Sequence, residues 1–382
     1  MSEPIRVLNV VGRMGIGGIE TLIMNIYRNI DRSKVQFDFL THMGSGGAYE
    51  EEIRALGGRI YEMPVIRDCQ GGKTYYWRVF EYIHALKKFF REHPEYRVLH
   101  GHMTNTAAIY MPIAQKYGSI DCCIVHSHQS IATSGSSGVV TNILQHDIWK
   151  IATDYFACSE KAAEWIYPQK LIKQGKIKII HNGVETRKFV YDKERAQKKR
   201  AELGIDKDVF VLGSVARFID VKNHTFMLDI MKSILDEIPN ALLLFAGDGE
   251  KLQEMKEKAE KLEISDKVRF LGMRSDIPDL LMVFDVFLLP SISEGLPVCA
   301  VEAQAAGLPI VASTGVTRET DITGNVSFLD LSLSEDVWAK KIIEVIEHFD
   351  RKDMTETVRE AGYDIKQTAQ WLQNFYLEKA NA

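Results

Sequence analysis

Two glutamates and the short loop beside them carry the clearest chemical signal in the chain. Residues 289–312 read LPSISEGLPVCAVEAQAAGLPIVA. Ser291, Ser293 and Gly295 form a small polar loop after an apolar strand. Pro297 suits a first helical turn, where its missing N–H costs nothing. Val298, Val301 and Ala305 repeat at helical spacing, and Gly307 ends the helix. A helix N-terminus behind small residues presents free N–H groups and a positive dipole end, which favours phosphate. Glu294 lies ahead of this tip and Glu302 lies in the second turn. A carboxylate would repel phosphate, but it accepts strong hydrogen bonds from sugar hydroxyls. The combination suggests a ligand with phosphate in the middle and a sugar at each end. One glutamate near a helix start reads most simply as a solvated surface group. Two, with Gly-Leu-Pro between them, favour the ligand.

Two cations extend this chemistry. Arg217 and Lys222 follow the strand 209–215 in the run ARFIDVKN. They suit a diphosphate, Arg as a planar fork and Lys as a point charge, against the simpler reading of a solvated basic loop. Gly247 and Gly249 follow the strand 241–246 and allow backbone to approach a ligand. Two further strands end in His100-Gly-His102 and His126-Ser-His128. Functional groups of a parallel α/β sheet sit at the carboxyl ends of strands, so His102 and His128 are expected to line one crevice. Paired histidines serve more often as substrate contacts than as ligands, and neither a carboxylate nor a third histidine stands at ligand spacing. No metal is therefore expected. Asp206-Lys-Asp208 has DxD form but lies in a hydrophilic turn before a strand, and reads as surface.

The elements that must position these groups alternate along the chain. A buried-type strand, 5–11, leads through glycines 12, 15, 17 and 18 into a helix, 19–30. Strand-like runs follow at 35–41, 59–63, 97–101, 120–125, 155–158 and 176–180. Helical patterns cover 49–56, 75–91 and 104–116 between them. The segment 129–138, rich in Ser and Gly, reads as a mobile loop and a candidate acceptor lid. A second set opens with the helix 192–203 and the strand 209–215. The last helix, 364–377, aligns Ile365, Ala369, Leu372 and Tyr376. The first turn lacks a full GxGxxG, and no acid follows the second strand, so a dinucleotide site is not expected.

Glu294-Gly-Leu-Pro-Val followed by Glu302 resembles the E-x7-E signature of retaining GT-B glycosyltransferases, family 4, of the polysaccharide-biosynthesis type (glycosyl transferases group 1). The similarity extends over nearly the whole chain. It implies an α/β fold of two Rossmann-like domains facing across a cleft, with the C-terminal helix crossing back to the first. The expected boundaries are 1–186 with 364–382 on the acceptor side, and 187–363 for the nucleotide sugar. The resemblance matches Arg217 and Lys222 to the diphosphate contacts and Glu302 to the ribose hydroxyls. It sets Glu294, with Gly295, Leu296, Pro297 and Val298, at the donor sugar. It places Gly17 and Gly18 against donor phosphate and acceptor, where a plain tight turn is the simpler reading. It sets Met273 and Arg274 near the base, which is read largely through main chain. His128 matches the histidine near the transferred sugar, with His126 as the other candidate. Gln129 replaces the acid often found beside it. The turn His181-Asn-Gly-Val184 resembles the stretch between domains.

Bulk properties agree. A chain of 382 residues with 46% apolar content can bury two cores. A net charge of −5, with both signs mixed, gives no basic field for nucleic acid. Five scattered cysteines fit free thiols in a reducing cytoplasm. The N-terminus lacks a signal-peptide pattern, and no apolar run spans a bilayer. The helix 75–91 mixes aromatics with Arg and Lys. It either packs its aromatics inward or rests on the inner face of a membrane as a peripheral contact.

The expected activity is metal-independent, retaining transfer of a sugar from a nucleoside diphosphate sugar, with UDP favoured by family frequency. The acceptor is a glycan or lipid-linked sugar of polysaccharide biosynthesis, and no cofactor is required. A nucleotide-sugar epimerase of the same fold, or a non-catalytic nucleotide-sugar-binding partner subunit, are the alternatives.

Overall fold

Apolar strands able to bury both faces, most of them trailed by a helix, build two parallel sheets. The computed structural model describes residues 3–15, 17–44, 46–65, 78–128, 145 and 147–381. Two compact units emerge: Met1–Asn182 with Ile365–Ala382, and Gly183–Asp364.

The first unit carries β1 (Ile5–Val11), α1 (Gly18–Asn29), β2 (Val35–Thr41), α2 (Glu50–Ala55), β3 (Ile60–Glu62) and α3 (Arg78–Glu92). It continues with β4 (Val98–Gly101), α4 (Ala107–Tyr117), β5 (Cys122–Ser127), β6 (Asp154–Ala157), α5 (Glu160–Ile166), α6 (Gln169–Lys173) and β7 (Ile177–Ile179). The strands lie in the order β3-β2-β1-β4-β5-β6-β7. Alternation along β1 serves two layers. Leu8 and Val10 join Tyr82, Leu86 and Tyr110 from α3 and α4. Val7 and Val11 join Ile26 of α1 on the opposite face. Asn9 shares that second face. Register aligns Asn9 of β1 with His100 of β4, and His100 with Ile124 of β5.

The second unit carries α7 (Lys193–Glu202), β8 (Val211–Val215), α8 (His224–Glu237), β9 (Leu242–Ala246), α9 (Leu252–Lys261), β10 (Val268–Phe270) and α10 (Ile277–Val283). Then come β11 (Val286–Leu289), α11 (Val298–Ala305), β12 (Ile310–Ser313), β13 (Val326–Leu329), α12 (Glu335–Glu347) and α13 (Thr355–Val358). The order is β10-β9-β8-β11-β12-β13. Asp192 caps α7, accepting from the N–H groups of Glu194 and Arg195.

Helix α14 (Ile365–Asn381) belongs to the first unit. Ile365, Ala369, Leu372 and Tyr376 enter the core beneath β1 and α1. The Gln373 side chain accepts from the Asp31 N–H at 2.9 Å.

The helix expected over 75–91 begins at Arg78 among the described residues, and its three preceding positions lie outside them. Tyr82, Phe89 and Phe90 are buried, whereas Phe80 is 81% exposed. The loop 129–138 lies outside the described residues. Among the described residues, no helix is long and apolar enough to cross a membrane.

Candidate active site

Strands β8 and β11 are neighbours, so the loops leaving their carboxyl ends meet. Ile292 N–H donates to the Val221 carbonyl at 2.8 Å. Asn223 adopts φ 55°, a left-handed conformation its short amide tolerates, and its Nδ2 donates to the Pro290 carbonyl at 3.1 Å. These bonds hold Lys222 in an ion pair with Glu294, with side chains only 17% and 14% exposed. Ser291 Oγ donates to the same carboxylate oxygen at 3.2 Å. The Glu294 N–H donates to the Gly315 carbonyl at 3.1 Å. A Cβ at Gly315 would lie 2.2 Å from the Ile292 carbonyl oxygen, so only glycine lets these loops pack.

Helix α11 starts at Val298, with Pro297 extended ahead of it and no side-chain cap. The Ala300 N–H donates to the Pro297 carbonyl at 3.0 Å, while the Val298 and Cys299 N–H groups keep their capacity for a ligand. The Glu302 carboxyl, one turn further, is pushed up to about 7 by burial. Burial also pushes the Cys299 thiol up to about 12.

Arg217 is exposed and forms no ion pair among the described residues. The backbone beside it is fixed: Phe218 N–H donates to the Asp248 carbonyl at 3.0 Å. Gly247 allows this approach, since its φ is 147° and a Cβ there would lie 2.0 Å from the Ala216 oxygen. A Cβ on Gly249 would meet the Phe218 oxygen at 2.5 Å. Met273 is 71% exposed. Arg274 is engaged by Asp276 at 2.6 Å. Asp206 and Asp208 are exposed, as the surface reading expected.

In the first unit, Gly17 caps α1 with extended backbone. A Cβ on it would sit 2.4 Å from a Glu20 carboxylate oxygen. His102 and His128 do meet: His102 Nδ1 lies 3.0 Å from His128 Nε2. The sheet also brings in His100, to which the sequence assigned no role, beside His126, the other candidate. His100 Nε2 lies 3.1 Å from His126 Nδ1, and His100 Nδ1 lies 2.7 Å from the Tyr376 hydroxyl. Nitrogens of His100, His102 and His126 come within 4.8 Å of one another. The expectation that no third histidine stands at ligand spacing is thereby corrected. The residues sit at same-face positions of adjacent strands, a proximity set by register rather than by spacing along the chain. His126 is 1% exposed, whereas His128 is half-buried.

Burial pushes His100 and His128 down to about 3 from 6.5, and pushes His102 and His126 well down. The unfolded chain thus binds more protons than the folded one below pH 6.5. Stability rises with pH across the window from about 3 to 6.5 and is lost on acidification. The first unit is expected to melt several degrees lower at pH 5 than at pH 7, read by calorimetry. His100→Phe should flatten that dependence.

Residues 16–188 match the family model "Glycosyltransferase Family 4", and residues 195–362 match "Glycosyl transferases group 1". The glycosyltransferase EpsF of Bacillus subtilis is 33% identical over 377 residues, covering 97% of this chain and 96% of the relative. An Escherichia coli UDP-Gal:alpha-D-GlcNAc-diphosphoundecaprenol alpha-1,3-galactosyltransferase is 29% identical, covering 57% of this chain and 58% of the relative. The crystal structure of Anabaena HepE in complex with UDP superposes with a TM-score of 0.73 at 17% identity, covering 98% and 99% of the two chains. The two sheets define the GT-B fold expected from the sequence, and the chain belongs to the group 1 glycosyltransferases. It is a glycosyltransferase enzyme.

Proposed function

We propose that the chain transfers a sugar, with retention of configuration and without a metal, from a UDP-sugar to a glycan or lipid-linked acceptor in polysaccharide biosynthesis. The observation that carries this reading is the Lys222–Glu294 ion pair beside the uncapped tip of α11. A diphosphate arriving there draws Lys222 away from the carboxylate and is joined by Arg217. Glu294 is then free to accept from sugar hydroxyls, while Glu302 accepts from the ribose. Gly249 lets backbone approach the ligand and Met273 and Arg274 border the base, while His128 is a sugar contact within the first unit. Relatives support the nucleotide: HepE structures contain UDP and UDP-glucose, and the E. coli relative is named for UDP-Gal.

In the reaction, the acceptor hydroxyl oxygen bonds to the anomeric carbon as the carbon–oxygen bond to the diphosphate breaks. The leaving phosphate takes the hydroxyl proton, so attack and departure share one face of the sugar. Negative charge grows on the diphosphate, and fixed cations with a helix N-terminus stabilise it there. With a lipid-linked acceptor the chain works at the inner face of the membrane. The exposed Phe80 and Lys88 of α3 suit that surface.

The test incubates the protein with a panel of UDP-sugars, with and without an undecaprenyl-diphosphate sugar acceptor, in EDTA. A new glycoside with the donor's anomeric configuration is expected. Conversion of the donor sugar without acceptor would establish the epimerase instead, and a strict metal requirement would overturn the metal-free mechanism.

A further inference from the structure

The imidazoles form a buried block two rows deep. His100 stacks on His102 with centroids 4.2 Å apart, and His126 lies 4.1 Å from His128. The upper row runs Asn9–His102–His128 and the lower runs Tyr376–His100–His126. Asn9 Oδ1 lies 3.3 Å from His102 Nε2. A carbonyl oxygen only accepts, so that nitrogen carries the proton. A neutral imidazole carries one proton, which leaves His102 Nδ1 bare. His128 Nε2, 3.0 Å away, must then donate to it. His128 is left with an unprotonated Nδ1, the one ring nitrogen of the row with no partner among the described residues.

We propose that Asn9 is a positioning residue of the sugar site: through His102 it fixes His128 as the Nε2–H tautomer and presents a bare Nδ1 that accepts from a sugar hydroxyl. This deepens the reading of His128 as a sugar contact and rests on it. The lower row supports the block. The Tyr376 hydroxyl has no other partner among the described residues, so it donates to His100 Nδ1, and His100 Nε2–H donates to His126. Asn9 Nδ2 and His126 Nε2 are buried without partners among the described residues. The arrangement thus leaves buried donors unsatisfied while keeping one acceptor open at His128. Turning the Asn9 amide over would reverse every proton in the upper row and make His128 Nδ1 a donor. The consequence for specificity is direct: the sugar must bring a hydroxyl. A donor lacking that hydroxyl is expected to lose on the order of 10,000-fold in kcat/KM, as at other sites built around one substrate hydroxyl.

The test is long-range 1H–15N spectroscopy of the ligand-free full chain labelled with 15N-histidine, assigned through His128→Gln and His102→Gln. Both rings are expected to be protonated at Nε2 and bare at Nδ1 at neutral pH. A proton on His128 Nδ1, or a stoichiometric metal held by these nitrogens, would overturn the proposal. Asn9→Asp keeps the acceptor and should keep the tautomer. Asn9→Leu should mix the tautomers and lower kcat/KM for the active UDP-sugar by about tenfold, with KM moving less than kcat. If Asn9→Leu does not fold, the wild-type and Asn9→Asp spectra still decide. Because the tautomer is read without ligand, a protein that binds no UDP-sugar defeats the functional reading alone. Transfer from a protein with the opposite tautomer defeats this proposal alone.

Discussion

Arg217→Ala is expected to lower kcat for glycosyl transfer by roughly 30- to 1,000-fold, about 2–4 kcal/mol of lost transition-state stabilisation. The melting temperature should barely move. Arg217 is exposed and forms no ion pair among the described residues, so the fold asks little of its guanidinium. Its value would arise only when charge gathers on the departing diphosphate, which is the condition for a change in kcat rather than KM. Arg217→Lys should recover part of the loss, since it keeps the charge without the planar fork. Lys222→Met is a less clean experiment. It removes a phosphate contact but also strands the Glu294 carboxylate, whose side chain is 14% exposed, so stability should fall with activity. Steady-state kinetics beside calorimetric melting separates the two. An Arg217→Ala enzyme with unchanged kcat would remove Arg217 from the mechanism.

Glu302 gives the second large effect, and pH reveals it. Burial raises its carboxyl from 4.5 to about 7. Between those values the folded state holds a proton that the unfolded state has released, so stability falls as pH rises through the window. The full span amounts to about 3 kcal/mol, at roughly 1.4 kcal/mol per pH unit. Glu302→Gln should abolish this slope in the second unit, leaving the opposite slope of the histidine block in the first. UDP binding should reverse the preference, because ribose hydroxyls donate to the ionised carboxylate. Titration at pH 6 in buffers of different ionisation enthalpy is therefore expected to show a proton released on binding. Glu302→Gln should release none and bind UDP about 10- to 100-fold more weakly, as expected for loss of hydrogen bonds to a charged group. Uptake of a proton instead would contradict the ribose role.

Much of this architecture could be read from the chain, because strand, glycine turn and helix leave local patterns. The run from Leu289 to Ala312 needed only apolar spacing, one proline and one glycine to announce strand, loop and helix, and β11, α11 and β12 are there. The chemistry proposed for the tip rests on the same local signal, because Glu294 and Glu302 lie within one segment. What escaped depends on register and on distant chain. His100 and His126 meet because β4 and β5 pair in one alignment, which local spacing does not encode. Tyr376 reaches His100 from 276 positions away, on the last helix. Lys222 reads in the sequence as a phosphate contact alone. The bonds from Ile292 and Asn223 that pair it with Glu294, 72 positions away, join two loops that meet only because β8 and β11 are neighbours.

Isothermal titration of the full chain with UDP addresses the central claim most directly, comparing wild type with the Arg217→Ala/Glu302→Gln double variant. One UDP per wild-type chain is predicted, with affinity falling at least 100-fold in a variant that still folds. Equal affinity in the two proteins, or no UDP binding by wild type, would contradict the assignment of the α11 tip as the diphosphate site.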